Sequence, residues 1–296
     1  MSRVSAPVRT AALLAVLVLG VGGCGAGTPT VANWAAPVSG GGVAPSGPAS
    51  PGSAGPSPSG SVIPAPPPPS GPLDLKAVSG KTIVIDAGHN GGNGAHPEII
   101  NQPVPMGTGT KACDTTGTST NSGYSEAAFT FDVANRLATL LRAAGAKVVM
   151  TRTDNTSVGP CVDKRAAIGN DAHAAVAVSI HGDGAPAGGH GFHVMEPAKV
   201  GAPSDAIIAP SHQLALKVRD SYRARTGIPP STYIGTNGIN TRGDMAGLNL
   251  STVPKVLVEC GNMRNAGDAA FMTGATGRQK VAEGLAGGLA AFVAPG

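Results

Sequence analysis

Lys81-Thr82-Ile83-Val84-Ile85-Asp86-Ala87-Gly88-His89 is the stretch on which the fold turns. Thr82 to Ile85 is a β-branched run, read as a short buried strand, and Asp86 to His89 reads as the chain leaving its carboxyl end. The pattern recurs twice. Ala175 to Ile180 leads into His181-Gly182-Asp183, and Lys255-Val256-Leu257-Val258, introduced by Pro254, leads into Glu259. Helical periods lie between these strands. Ser125 caps a helix running to about Ala144, where Gly145 stops it, with Phe129, Val133, Leu137, Leu140 and Leu141 on the apolar face. Val162–Asp171, Gln213–Arg225 and a Gly-interrupted Ala275–Val293 predict further helices; Lys147–Thr151 and Gly191–Met195 predict further strands. Ala87 to Tyr124 reads as one long Gly-rich loop. Strands alternating with helices imply an α/β fold with a largely parallel sheet.

In an open α/β sheet, ligands bind beyond the carboxyl ends of the strands. His89, His181 and Glu259 are delivered to that rim, and Glu126, in the first turn of the helix after Ser125, can face it too. Two His and one carboxylate form a common zinc set for hydrolases, leaving a position for water. A second carboxylate, off the metal, can move the proton. Spacing does not decide which carboxylate does which. A lone His after a strand is ordinarily a capped loop residue; two in the same position shift the balance toward ligands. His96, His173, His190, His193 and His212 read as surface or loop residues, with His193 the one that a strand could turn toward the site. Asp86 and Asp183 flank the histidines, as orienting partners for an imidazole N–H or as turn caps. Glu98 falls in a Pro-rich loop and is set aside.

The chain has 296 residues, and its first part is not fold-forming. Arg3 and Arg9 precede an apolar run, Ala11 to Val21, too short to span a bilayer comfortably; residues 1–23 read as an export signal. Val21-Gly22-Gly23-Cys24 resembles a lipobox, with Cys24 the lipidated first residue; a signal peptide cut nearby, leaving Cys24 unmodified, is the alternative. Residues 24–75, rich in Gly, Ser, Ala and Pro, read as a disordered linker, stiffened at Pro66-Pro67-Pro68-Pro69. Extended, it could reach on the order of 150 Å, enough for a membrane-anchored head to sample the space above. The folded domain is then 76–296. Removing residues 1–23, which carry two Arg and no acid, lowers the net charge from +4 to +2. That is too little to argue for nucleic acid. Export implies a disulfide-permissive compartment. With Cys24 assigned to the lipid and Cys260 to a buried strand, Cys113 and Cys161 remain as a disulfide pinning the long loop.

Ile85-Asp86-Ala87-Gly88-His89, then Glu126, then Ser179-Ile180-His181, then Leu257-Val258-Glu259-Cys260-Gly261 with Asn265 resembles the pattern of zinc-dependent N-acetylmuramoyl-L-alanine amidases, from Lys81 onward. Gly117 to Tyr124 and Asp244 to Leu250 are most similar to single-domain actinobacterial members. The resemblance implies a single domain with a mostly parallel sheet of about six strands flanked by helices. It implies one zinc per chain on His89, Glu126 and His181, with Glu259 as general base and acid. The implied reaction is hydrolysis of the amide between the lactyl group of N-acetylmuramic acid and L-alanine in peptidoglycan or muropeptides. Arg242 is then a candidate partner for a stem-peptide carboxylate, and Asn265 a second candidate substrate contact. The expected enzyme is an exported monomer at the outer face of the cytoplasmic membrane, held by its lipid, or in the periplasm or wall. Two other readings share the same residues: a catalytically weak wall-binding or regulatory protein, and a zinc peptidase of the stem peptide. Two positions depart from the pattern. Asn262 stands where many members have Phe, and Gly182 where Ala is common.

Overall fold

The computed structural model describes residues 72–295. The expected export segment 1–23, Cys24 and the linker as far as residue 71 lie outside the described residues. Leu73 and Leu75, at the end of the stretch read as linker, pack against the core.

Strands β1 (Thr82–Ala87), β4 (Lys147–Met150), β5 (Val176–Asp183), β6 (His193–Pro197), β7 (Ile239–Arg242) and β8 (Lys255–Asn262) form one sheet in the order β4-β1-β5-β8-β6-β7. β4, β1, β5 and β8 run parallel; β6 is antiparallel to β8, and β7 parallel to β6. Alternation along the strands divides the side chains. Ile83, Ile85, Val176, Val178, Ile180, Val194, Val256 and Val258 face the main core. That face is covered by helices α2 (Glu126–Ala143), α4 (Ile208–Thr226) and α7 (Ala275–Val293). α2 forms where expected: Ser125 Oγ accepts from the Ala128 N–H at 3.3 Å, and Phe129, Val133, Leu137 and Leu141 are fully buried. Each such side chain stabilises the fold by about 1.5–3 kcal/mol. The glycines of α7 have a packing reason. A Cβ on Gly284 or Gly288 would lie 2.9 Å from Tyr222 Cα or 2.6 Å from Val218 Cα on α4, so only glycine lets the helices close.

The opposite face is covered by α3 (Val162–Asp171) and the short α5 (Ala246–Asn249) against Val84, Ala177, Met195 and Leu257. Here the strands turn polar: Asp86, Ser179, His181, Lys255 and Glu259 alternate with the core residues of β1, β5 and β8. The expected loop from Ala87 to Tyr124 is more structured than its glycines suggested, holding the short helix α1 (Pro97–Ile100) and the hairpin of β2 (Pro103–Pro105) and β3 (Thr110–Ala112). β5 and β8 outrun their apolar segments, because the backbone ladder continues through the polar residues. Its register shifts between His181 and Asp183. His181 and Glu259 therefore sit on paired strands rather than in loops beyond them. β7, with Ile239 as its one apolar residue, and α6 (Ala266–Thr273) were not expected.

Candidate metal centre and active site

β1 ends at Ala87, and the chain turns sharply through Gly88 to His89, whose φ of 57° is left-handed. Such a conformation is uncommon outside glycine and is found at functional sites. It is held from several sides. The Gly88 N–H donates to Ile180 O at 3.0 Å, and the Gly88 carbonyl accepts from Thr130 Oγ1 at 2.7 Å. Arg165 Nη2 donates to His89 O at 3.1 Å, and Arg152 Nε donates to Ala87 O at 2.9 Å. Gly88 has no room for a side chain, because a Cβ would lie 2.3 Å from the His181 ring.

Glu126 opens α2, where the positive end of the helix favours a carboxylate. Its Oε2 accepts from the Thr118 N–H at 2.9 Å and its Oε1 from the Gly182 N–H at 3.1 Å. Oε1 lies 3.3 Å from His89 Nε2 and 2.9 Å from His181 Nδ1. The ligand atoms of His89, Glu126 and His181 all fall within 4.8 Å of one another. Burial opposes charge on His89, but the Glu126 and Asp114 carboxylates outweigh it and raise the imidazole to about 10. Burial likewise opposes charge on Glu126, yet the two histidines hold its carboxyl well below the usual range. The carboxylates around His89 thus favour positive charge beside Glu126.

The orienting partner of His89 is neither of the aspartates considered from the sequence. Asp114 Oδ1 lies 3.2 Å from His89 Nδ1, with the Thr115 carbonyl at 3.1 Å, which leaves Nε2 to face Glu126. Asp86 instead anchors a buried charge network behind the site. Its carboxylate accepts from Arg165 Nη1 at 2.9 Å, Lys255 Nζ at 3.2 Å, Ser179 Oγ at 2.7 Å and Thr151 Oγ1 at 2.8 Å. Burial raises the Asp86 carboxyl, but the Lys255 and Arg165 charges and these bonds bring it far below the usual range. Arg165 Nη2 reaches on to Asp114 Oδ2 at 3.2 Å. Two carboxylates and two cations thereby balance one another beside His89 and Glu126. Sequence reasoning missed Asp114, Arg165, Lys255 and Arg152.

The disulfide Cys113–Cys161 is present, with Cα atoms 4.5 Å apart. It joins the residue before Asp114 to the residue before α3, from which Arg165 projects. Cys260 is a buried free thiol, as expected.

A cavity of about 330 Å³ opens over the group, lined by His89, Glu126, His181, Asp183 and Glu259, with Met245, Leu248 and Leu257 as an apolar wall. Glu259 is the register partner of His181. Burial and the neighbouring Glu126 and Asp183 charges push its carboxyl well above the usual range. Arg242 lies near enough to act on the Glu259 charge, but its guanidinium is held by Asp244 Oδ1 at 2.7 Å and Oδ2 at 2.6 Å. Asn265 caps α6, its Oδ1 accepting from Gly267 N at 3.0 Å, while Nδ2 donates to Ala187 O at 2.9 Å. Asn262 ties down the loop beside the site by donating to Pro186 O and Gly189 O at 3.0 and 2.8 Å. A Cβ on Gly182 would lie 2.7 Å from the end of the Met272 side chain and 3.1 Å from Met263 Sδ, so those methionines would have to shift to admit alanine. Of the remaining histidines, His193 is fully buried on β6, whereas His96 and His212 pair with Glu98 and Glu196.

Residues 83–291 match the family profile of N-acetylmuramoyl-L-alanine amidases. An N-acetylmuramoyl-L-alanine amidase of Mycobacterium tuberculosis is 47% identical over 219 residues, covering 73% of this chain and 88% of that protein. The crystal structure of the Ami1 amidase of Mycobacterium smegmatis superposes with a TM-score of 0.69 at 45% identity, over 73% of this chain and 98% of that one. The apo Ami1 structure of Mycobacterium abscessus gives 0.70 at 46% identity, over 73% and 100%. The family match spans the six-stranded sheet and all four residues at its rim, and the chain belongs to the N-acetylmuramoyl-L-alanine amidases.

Proposed function

We propose that the amidase is a zinc hydrolase of peptidoglycan in which His89, Glu126 and His181 would hold one metal ion and Glu259 moves the proton. The convergence of one ligand atom from each of His89, Glu126 and His181 within 4.8 Å carries the reading. The donor set, two imidazoles and one carboxylate, fits a catalytic zinc site with room for water. Zinc held there would supply Lewis-acid chemistry, acidifying water toward a pKa of roughly 7 and polarising a carbonyl.

The chain's own residues supply the rest. Asp114 and the Thr115 carbonyl hold the His89 ring so that Nε2 faces the cavity. Two backbone N–H groups fix the Glu126 carboxylate. The apolar wall of Met245, Leu248 and Leu257 excludes water from one side. Glu259, across the ladder from His181, takes a proton from the attacking water. It then passes that proton to the alanine nitrogen as the lactyl–alanine amide breaks. Its raised affinity for protons suits a group that must accept one and give it up. Arg242, which would have to exchange its two bonds to Asp244, is the candidate partner for a stem-peptide carboxylate; Asn265, occupied as a helix cap, would act on substrate through the loop it holds. Export, lipidation of Cys24 and a tethering linker complete the reading, resting on residues 1–75 of the sequence. The test is metal analysis with chelation: zinc near one per chain, hydrolysis lost on chelation and restored by zinc. Full turnover by metal-free protein would end the proposal.

A further inference from the structure

His181 on β5, Glu259 on β8 and His193 on β6 form one row across the sheet, with Glu259 the register partner of both histidines. Cross-strand partners present their side chains on one face, with Cβ atoms about 5 Å apart. His193 lies on the far side of Glu259 from the metal group. It is fully buried, and its ring meets Tyr233 edge to face, with centroids 6.2 Å apart at 86°. Neither ring nitrogen of His193 has a hydrogen-bond partner, and Glu259 Oε2 has none either. Leaving a buried polar atom unpaired is costly, so such atoms are rare and mark function. Here their chemistry is complementary. A neutral imidazole carries one N–H and one lone pair, and a carboxylate oxygen only accepts. Burial, reinforced by the Arg242 charge and opposed by Asp183, pushes His193 down to about 4, so the ring is neutral near pH 7.

We propose that His193 is a positioning residue for Glu259: its ring N–H holds Oε2 of the carboxylate through one water and keeps it aimed at the reacting amide. Tyr233 backs the ring edge to face. The inference rests on Glu259 being the base, so the test measures both residues in one double-mutant cycle. His193→Phe keeps an aromatic ring and removes both nitrogens; His193→Asn and His193→Gln restore an N–H. The zinc-loaded His193→Phe protein is expected to keep its metal and fold, to lose about 10–100-fold in kcat and to change KM little. Asn or Gln should recover part of the loss. In a Glu259→Gln background, His193→Phe should cost no more than about twofold, because residues acting through one group are not additive. Should the Phe variant not fold, His193→Met takes its place in the cycle. Wild-type kcat in the apolar variant, or an equal loss in both backgrounds, overturns the inference. Wild-type turnover by Glu259→Gln alone would instead remove Glu259 as base, and His193 with it.

Discussion

Asp114→Asn separates the orientation of the metal group from its composition, since the change keeps the shape and every proposed ligand. Asp114 Oδ1 faces His89 Nδ1 at 3.2 Å and accepts from the Thr115 N–H at 2.7 Å, while Oδ2 accepts from Arg165 at 3.2 Å. An amide has only one acceptor oxygen, so either orientation sets its NH₂ against a donor, Arg165 or His89. The buried network also loses one of its two negative charges. Breaking a buried ion pair costs about 3–5 kcal/mol. The lower end applies, because Arg165 keeps Asp86 at 2.9 Å and the Ala87 and His89 carbonyls. A loss of about 3 kcal/mol corresponds to a fall in Tm of roughly 6–12 °C for a domain this size. Removing the partner of a ligating imidazole should weaken zinc by about 10–100-fold. Chelator competition at fixed pH reads the affinity, and calorimetry of the metal-free protein reads the stability. Zinc affinity within twofold of wild type would show that Asp114 does not orient His89, whatever happens to the melting temperature.

Glu259→Gln should keep its zinc and lose about 10²–10⁴-fold in kcat, read by muropeptide turnover alongside metal analysis; loss of the metal would make Glu259 a ligand. Reducing the Cys113–Cys161 bridge, which closes a sequence separation of 48, should destabilise the domain by up to about 4 kcal/mol. Because the bridge lies between Asp114 and α3, zinc affinity should fall as well; chelator competition with and without reductant would expose an unchanged affinity. In metal-free protein the His89 proton stabilises the fold, since its folded value, about 10, lies above the unfolded one. That contribution is whole below about pH 6.5 and drains as pH rises through about 10. Metal-free melting temperatures should therefore fall across that window. Zinc-loaded protein should lack the slope, and identical pH profiles would contradict the assignment.

The sheet and the residues at its rim were legible because local signals coincide there. Apolar runs marked β1, β5 and β8, and a His or Glu broke each run at the same end. Ser125 and the 3.6-residue spacing of Phe129, Val133 and Leu137 marked α2. What stayed hidden depends on contacts between distant segments. Asp114 reaches His89 only after the hairpin folds back, and Arg165 sits on a helix whose sequence gives no hint that it faces Asp86, 79 residues earlier. Asp86 was noticed for its place beside His89, yet its side chain points behind the site, into the charge network. β7 carries Ile239 between polar residues and owes its existence to pairing with β6. His193 was singled out as a residue that a strand could turn inward, but its alignment with Glu259 needs the register of β6 on β8.

The most direct measurement is mass spectrometry of the products formed from a defined muropeptide by zinc-loaded protein and by the same protein after chelation. The zinc-loaded enzyme should release the intact stem peptide with a free L-alanine amino terminus. N-acetylmuramic acid should keep its lactyl carboxylate, and the chelated enzyme should release neither. Cleavage between residues of the stem peptide, or the same products from metal-free protein, would contradict a zinc-dependent attack on the lactyl–alanine amide.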